Sequence, residues 1–421
     1  MVSLPTRFDS PLPSRAWLVV ALLWIVGCLN YLDRVMLTTM HTSIEAAIPM
    51  TEAQFGLLTT SFLAVYGLLS PFAGFLADKF NRSRVVVGSL LVWSLVTWLT
   101  GHSRTYPELL TTRLLMGISE ACYIPAALAL VADYHRGPTR SLATGLLLGG
   151  VMVGAALGGI GGWLADRHDW SYAFRLFGLV GIAYSVVLGL LLRDPPRESI
   201  EISTSGLVPL VRLGEALASL FGSGAFVIAL IYWGVLGIAG WMVVGWVPTY
   251  FQEQFHLSQG TAGLDATLYL NVASFGGLLI GGYWADRWSR KSARACIYVS
   301  AIGQIAAVPG IVLLCYPGSL PLAIVGLSFF GLTNAFASSE MMPILCLISD
   351  PRYRATGYGI LNLFSCLFGG AAIYAGGVLR DAQIDVTKLF EWGAALMLLC
   401  GLLLFFLKMR DPAPPGAQPV G

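Results

Sequence analysis

The chain has 421 residues, 56% of them hydrophobic and 11% charged, with a net charge of +2. An ordinary soluble domain carries about 25% charged residues, so this chain lacks the polar surface to cover several soluble cores. No basic stripe or run occurs, which argues against nucleic acid as a partner.

Taken in chain order, the opening segment "MVSLPTRFDSPLPSRAW" has no cleavage-site pattern, and the apolar run behind it is followed by many more. That run is therefore expected to be a retained helix. About twenty apolar residues cross a hydrocarbon core roughly 30 Å thick. Twelve such runs start near Trp17, Phe55, Arg84, Pro107, Ser141, Tyr172, Gly224, Ala262, Ala293, Gly318, Ala355 and Phe390. The long polar interruption "RDPPRESIEISTSGLVPLVRLGEALASL" falls after the sixth run and reads as a linker. The expected class is an all-α membrane protein of twelve transmembrane helices in two six-helix bundles. Residues 1–16 form a tail, 17–192 the first bundle, 193–220 the linker, 221–408 the second bundle and 409–421 a second tail.

With the N-terminus inside, 18 of the 25 Lys and Arg fall in inner segments and 5 in outer ones. The positive-inside rule then places both tails in the cytoplasm of a plasma-membrane protein. The seven cysteines (28, 122, 296, 315, 346, 366, 400) show no C-x-x-C and read as small buried hydrophobes rather than metal ligands.

The halves repeat. "GFLADKFNRSR" (Gly74–Arg84) follows the second run and "GYWADRWSRKSAR" (Gly282–Arg294) the eighth, with Gly74 and Gly282, and Asp78 and Asp286, each 208 positions apart. "RSLATG" before the fifth run is echoed by "YRATGYG" before the eleventh. Parallel halves of this kind are an architecture of secondary transporters.

Charges inside such runs cost about 2.5–3.5 kcal/mol each on insertion scales, so the few that occur are the candidate site. "NYLDR" ends the first run with Asp33 and Arg34. In the fourth, Arg113 and Glu120 lie seven positions apart and share one helix face at roughly 10.5 Å. Glu120 precedes Asp133 by 13 residues, about 20 Å of helix, which puts it near mid-membrane. Pro125 frees a backbone carbonyl nearby. Asp33, Arg34, Arg113 and Glu120 are expected to gather in one balanced cluster. Apolar replacements would be cheaper for stability alone, which favours function over a static salt bridge.

In the second half Glu340, in the tenth run, is either a second titrating carboxylate or a glutamate bonded to Ser338 or Ser339. No Lys or Arg is expected inside runs seven to twelve, which disfavours a sugar phosphate. Asn30, Tyr31, Tyr123, Tyr232, Trp233, Trp241, Trp246, Asn334 and Asn362 are candidate cavity residues, each also readable as packing or interfacial belt. Gly150, Gly154, Gly158 and Gly162 form a ladder on one face of the fifth run, a sign of close helix packing. The five histidines fall in or near loops, and no nucleophile–base constellation or phosphate loop appears. An enzyme, a resident cofactor and a metal centre are therefore not expected. A sensor would need a soluble domain to relay its signal, and none is evident.

"G-x-x-A-D-[KR]" after the second and eighth runs resembles the signature loop of the major facilitator superfamily, and the resemblance covers the chain. "NYLDR", "LLTTRLLMGISEACYIPAALALVADYH" and "RDPPRE" resemble the Spinster-like transporters and, for the first two, the anion:cation symporters; "GWVPTYFQEQFHLS" resembles the symporters. The resemblance implies alternating access, with the proton as coupling ion. Asp33 and Glu120 would bind protons, with Arg34 and Arg113 as their partners. Gly74, Asp78, Lys79, Arg82, Gly282, Asp286, Arg287 and Arg290 would gate the halves. The reading put first is a monomeric proton-coupled transporter of a small organic anion, such as a sugar acid. The alternative is a Spinster-like carrier of a lysolipid or other amphiphile.

Overall fold

A computed structural model describes residues 14–135, 139–194, 213–316, 318–350 and 353–407. Of residues 74–79 it describes the backbone alone, so the surroundings of Gly74 and the side chains of Asp78 and Lys79 lie outside the description. Twelve helices long and apolar enough to cross a membrane occur among the described residues. They are α1 (Arg15–Ala47), α2 (Glu52–Lys79), α3 (Arg82–Thr100), α4 (Tyr106–Tyr134), α5 (Leu142–Arg167) and α6 (Trp170–Leu191) in the first half. The second half holds α7 (Gly224–Phe255), α8 (Gln259–Ser289), α9 (Ala295–Leu314), α10 (Leu320–Ile348), α11 (Thr356–Asp381) and α12 (Val386–Phe406). The expected starts all lie within four residues of these. Residues 195–212 of the expected linker lie outside the described residues, and its last stretch forms a short helix, Leu213–Phe221, whose Ala216 and Leu220 pack on the base of α7.

Short polar caps start the helices where the apolar pattern begins. Asn81 accepts from the Arg84 N–H at 3.2 Å, Asp169 from Tyr172 at 2.6 Å, and Ser258 from Thr261 at 3.2 Å. Thr105 and Glu108 form a capping box on α4. Two helices break at equivalent places. In α4 the helical segments are Tyr106–Glu120 and Tyr123–Tyr134, and in α10 they are Leu320–Ser339 and Met341–Ile348. Pro125 and Pro343 follow closely, and each removes the N–H that would have bonded the carbonyl four residues back. Glu120 and Glu340 sit at these breaks.

The glycine ladder of α5 packs on α1. A Cβ on Gly150 or Gly154 would run into the backbone of Trp24 or Cys28, one on Gly158 would lie 2.6 Å from the Val35 side chain, and one on Gly162 would lie 2.6 Å from the Thr39 carbonyl. Only glycine permits so close an approach of two helices.

The halves meet mainly through α2 with α11 and α5 with α8. Their hydrogen bonds cluster from mid-helix to the arginine-poor end. Asp381 of α11 caps the first turn of α2, accepting from Glu52 and Ala53 N–H at 2.9 and 3.0 Å. Gln259 of α8 exchanges bonds with Ser43 at 2.9 and 2.7 Å, and Asp166 accepts from Gly260 N–H at 2.8 Å. Arg380 reaches Glu52 at 3.0 Å and Glu253 at 2.6 Å. Arg380 corrects one expectation: it lies in the last turn of α11 with its side chain 12% exposed, so the second half does embed a cation. The apolar run reaches Leu379, and the helix continues through Arg380 to Asp381. At the arginine-rich end the halves part, and Cβ atoms built on Gly145 and Gly282 meet nothing within 4 Å.

Candidate functional site

Two features occupy the centre of the molecule: a buried charge cluster in the first half and a cavity between the halves. The cluster brings together all four charges expected of it. Arg34 Nε donates to Glu120 Oε2 at 2.6 Å, with both side chains almost wholly buried. The Arg34 guanidinium is boxed by the rings of Tyr66, Tyr31 and Phe62 at 4.2, 4.7 and 5.0 Å, a favourable seat for a cation. Asp33, one residue earlier and so about 100° around the helix, turns the other way and accepts from Thr97 Oγ1 at 3.1 Å. Arg113 donates to Thr100 Oγ1 at 3.0 Å and lies over the Phe174 ring at 5.3 Å. Thr97 and Thr100, one turn apart on α3, thus hold Asp33 and Arg113 respectively, and the sequence offers no sign of either.

The polar capacity of the cluster is not filled. Asp33 Oδ1, Arg34 Nη2, Arg113 Nε, Glu120 Oε1 and both polar atoms of Asn30 are buried without a hydrogen-bond partner. Such atoms are costly unless water, a proton or a ligand serves them during the working cycle.

The cavity has a volume of about 590 Å³ and runs from mid-depth toward the arginine-rich end. Five of the expected residues line it: Tyr31, Trp233, Trp241, Asn334 and Asn362. Asn334 also accepts from Gln304 Nε2 at 3.0 Å, which sets the direction of its amide. Four expectations are corrected. Tyr123 is fully buried in the first bundle, donates to the Leu23 carbonyl at 2.7 Å and packs edge-on against Trp93. Tyr232 is buried behind its neighbour Trp233, ring centroids 4.8 Å apart. Asn30 is buried beside Glu120, and Trp246 donates to the Ile373 carbonyl at 3.3 Å near the closed end. In each pair of neighbours only one residue faces the cavity, and the apolar runs do not reveal the helix rotation that decides which.

Asn271, Phe275 and Tyr358 also line the wall and are not singled out by the sequence. An amide in the middle of an apolar run was the available signal for Asn271. None of the described residues lining the cavity carries a charge. The cluster lies behind the wall, and Tyr31 joins the two, since it faces the cavity and stacks on Arg34.

Glu340 is 3% exposed, and its Oε1 accepts from Ser339 Oγ at 3.0 Å. It does not line the cavity. Of the expected gating loops, Arg82 pairs with Asp133 and donates to the Ala129 carbonyl at 3.2 Å. Asp194, after α6, caps α3 through Ser83 N–H at 3.1 Å. Asp286, Arg287 and Arg290 are exposed at the open end, where Gly282 has no close neighbour.

Two parallel six-helix halves around a central cavity, closed at one end and open at the other, are an architecture of membrane transporters. Residues 23–373 match the Major Facilitator Superfamily, and the chain belongs to it. It is 26% identical over 396 residues to an MFS-type efflux pump of Mycolicibacterium smegmatis, covering 92% of this chain and 90% of that one. It is 28% identical over 393 residues to protein spinster homolog 1 of Homo sapiens, covering 88% and 74%. In fold it is similar to a bacterial homolog of the human lysosomal transporter Spinster, solved in an inward-facing and unoccupied conformation. The TM-score is 0.75 at 21% identity, over 94% of this chain and 96% of that one.

Proposed function

We propose that this Major Facilitator Superfamily protein is a monomeric, proton-coupled transporter of an amphiphile, a molecule with a substantial apolar body and a small polar head. The observation that carries this reading is the cavity wall, which is aromatic and aliphatic with scattered amides and hydroxyls and without a charged side chain. A sugar acid, the reading the sequence puts first, would leave its carboxylate in that wall without a cation, at a cost of several kcal/mol. An amphiphile meets apolar surface along its length, with Asn271, Asn334 and Asn362 for polar groups. Its head is placed at Tyr31, behind which Arg34 still has a free donor. The similarity to spinster homologues supports the same choice.

Asp33 and Glu120 carry the proton, and Arg34 and Arg113 steady their charged forms. Loading Glu120 would release Arg34 from its 2.6 Å bond and so change how Tyr31 presents itself to the cavity. The arginine-rich end faces the cytoplasm of the plasma membrane, both termini included, so the cavity is open inward and the latch around Arg380 closes the outer side. The exposed Asp286 loop and uncontacted Gly282 support a released inner gate.

The test uses the purified chain in lipid vesicles with a pH gradient, offered lysophospholipids and, separately, sugar acids. Gradient-driven movement of a lysophospholipid, abolished by Trp241→Arg, is the expected result. Movement of sugar acids alone would restore the first reading.

A further inference from the structure

We infer that the mouth of the closed end holds a binding site for a divalent transition-metal ion of the zinc type, formed by His41, Glu45 and Glu52. His41 and Glu45 are four residues apart on one face of the short helix that ends α1, and Glu52 opens α2. His41 Nε2 lies 3.2 Å from Glu52 Oε2 and 3.9 Å from Glu45 Oε2, and the three ligand atoms all lie within 4.8 Å of one another. Donors that share a tetrahedral zinc ion at about 2.0–2.2 Å stand roughly 3.3–3.6 Å apart. Glu45, with its side chain 42% exposed, has room to make the remaining adjustment.

Proximity of two carboxylates would not by itself make a site. The second observation is the state of the imidazole. His41 is 3% exposed, wedged against the rings of Phe55 and Trp246 at 4.1 and 6.1 Å, and its Nε2 faces Glu52 Oε2 at 3.2 Å with no other polar atom to serve it. Glu52 Oε2 likewise has only His41 before it, so both lone-pair directions lead to the space between them and Glu45. The outer atoms of both groups are held. His41 Nδ1 meets Thr249 Oγ1 at 3.3 Å, and Glu52 Oε1 accepts from Arg380 at 3.0 Å. Metal-binding histidines and carboxylates have this arrangement, in which outer partners fix the ring and leave lone pairs converging on one point. The adjoining recess adds charge of the right sign: Glu45, Glu52, Glu253, Asp381 and Asp385 line it against the single guanidinium of Arg380. Two carboxylates with one imidazole suit zinc, cobalt(II) and manganese(II) better than a soft monovalent ion.

The orienting partners Thr249 and Arg380 belong to the other half of the molecule. The site is therefore whole only when this end is closed, and the ion binds that state more tightly. This last step rests on the alternating-access reading; the binding itself does not.

The test is calorimetric titration of Zn²⁺ into the full chain, purified without a polyhistidine tag, with the Co²⁺ absorption spectrum as a second readout. One saturable site per chain is expected, with a Co²⁺ spectrum lacking thiolate charge transfer. His41→Ala and Glu45→Gln should each weaken it at least tenfold, and Thr249→Ala severalfold. Glu45→Gln changes a half-exposed group, so its folding is secure even if His41→Ala proves unstable. Absence of a saturable site in the wild type, or equal affinity in the wild type and Glu45→Gln, overturns the proposal. Metal binding as described, without any gradient-driven transport, would count against the transport reading alone.

Discussion

The closing of the arginine-poor end depends on contacts that exist only when the halves meet there, and Asp381→Ala isolates one of them. Asp381, from α11, accepts from two first-turn N–H groups of α2, those of Glu52 and Ala53. The first donors of a helix have no partner within it, and an acidic cap is worth about 1 kcal/mol. Asp381 is exposed, so the estimate stays at that figure and not at the higher one suited to a buried cap. The cap spans the two halves, so its loss raises the energy of the closed-end state and leaves the alternative untouched. About 1 kcal/mol corresponds to a roughly fivefold shift in the population ratio. Asp381→Asn keeps an acceptor but loses the charge at the helix N-terminus, and should fall between. Nitroxide labels at His102 and Ala382, exposed positions on opposite halves at this end, report the separation by pulsed electron resonance in a background freed of native cysteines. The ratio of long-distance to short-distance populations should grow about fivefold in Asp381→Ala. Superimposable distance distributions, with unchanged thermal stability, would refute the reasoning.

Glu120→Gln should abolish accumulation driven by a pH gradient while leaving substrate exchange at least partly intact; wild-type accumulation ratios in vesicles would remove Glu120 from the coupling role. Gly154→Val sets a branched side chain against the Cys28 backbone of α1, and overpacking of about 1–3 kcal/mol or more should appear as a lower melting temperature in detergent. An unchanged melting temperature would show that α1 and α5 can separate freely. Tyr123→Phe loses only the bond to the Leu23 carbonyl, about 1 kcal/mol of stability, and transport per folded molecule should stay at the wild-type level. A selective loss of transport would return Tyr123 to the binding site.

What the sequence determined follows from the solvent. Lipid accepts no unpaired backbone groups, so each crossing must be a helix with a run of apolar residues about twenty long, and the runs are countable. The same solvent makes an embedded charge expensive, so Asp33, Arg34, Arg113 and Glu120 stand out, and the count back from Asp133 places Glu120 near mid-membrane. The spacing of glycines marked a close helix contact on α5 for a similar reason, since only a missing side chain lets two backbones touch, and the structure supplied α1 as the partner. Only the tertiary structure decided which residue of an aromatic pair faces the cavity, because Tyr232 and Trp233 are equally apolar in sequence and differ only by the rotation of α7 about its axis. It alone decided that the cavity wall is uncharged, since the charges sit one side chain behind it, past Tyr31. The contacts around Arg380 and His41 at the closed end were equally out of reach. Glu52 meets Arg380 across 328 residues of chain, and His41 meets Thr249 across 208. Neither pairing leaves a local pattern, because what brings the partners together is the packing of one half against the other.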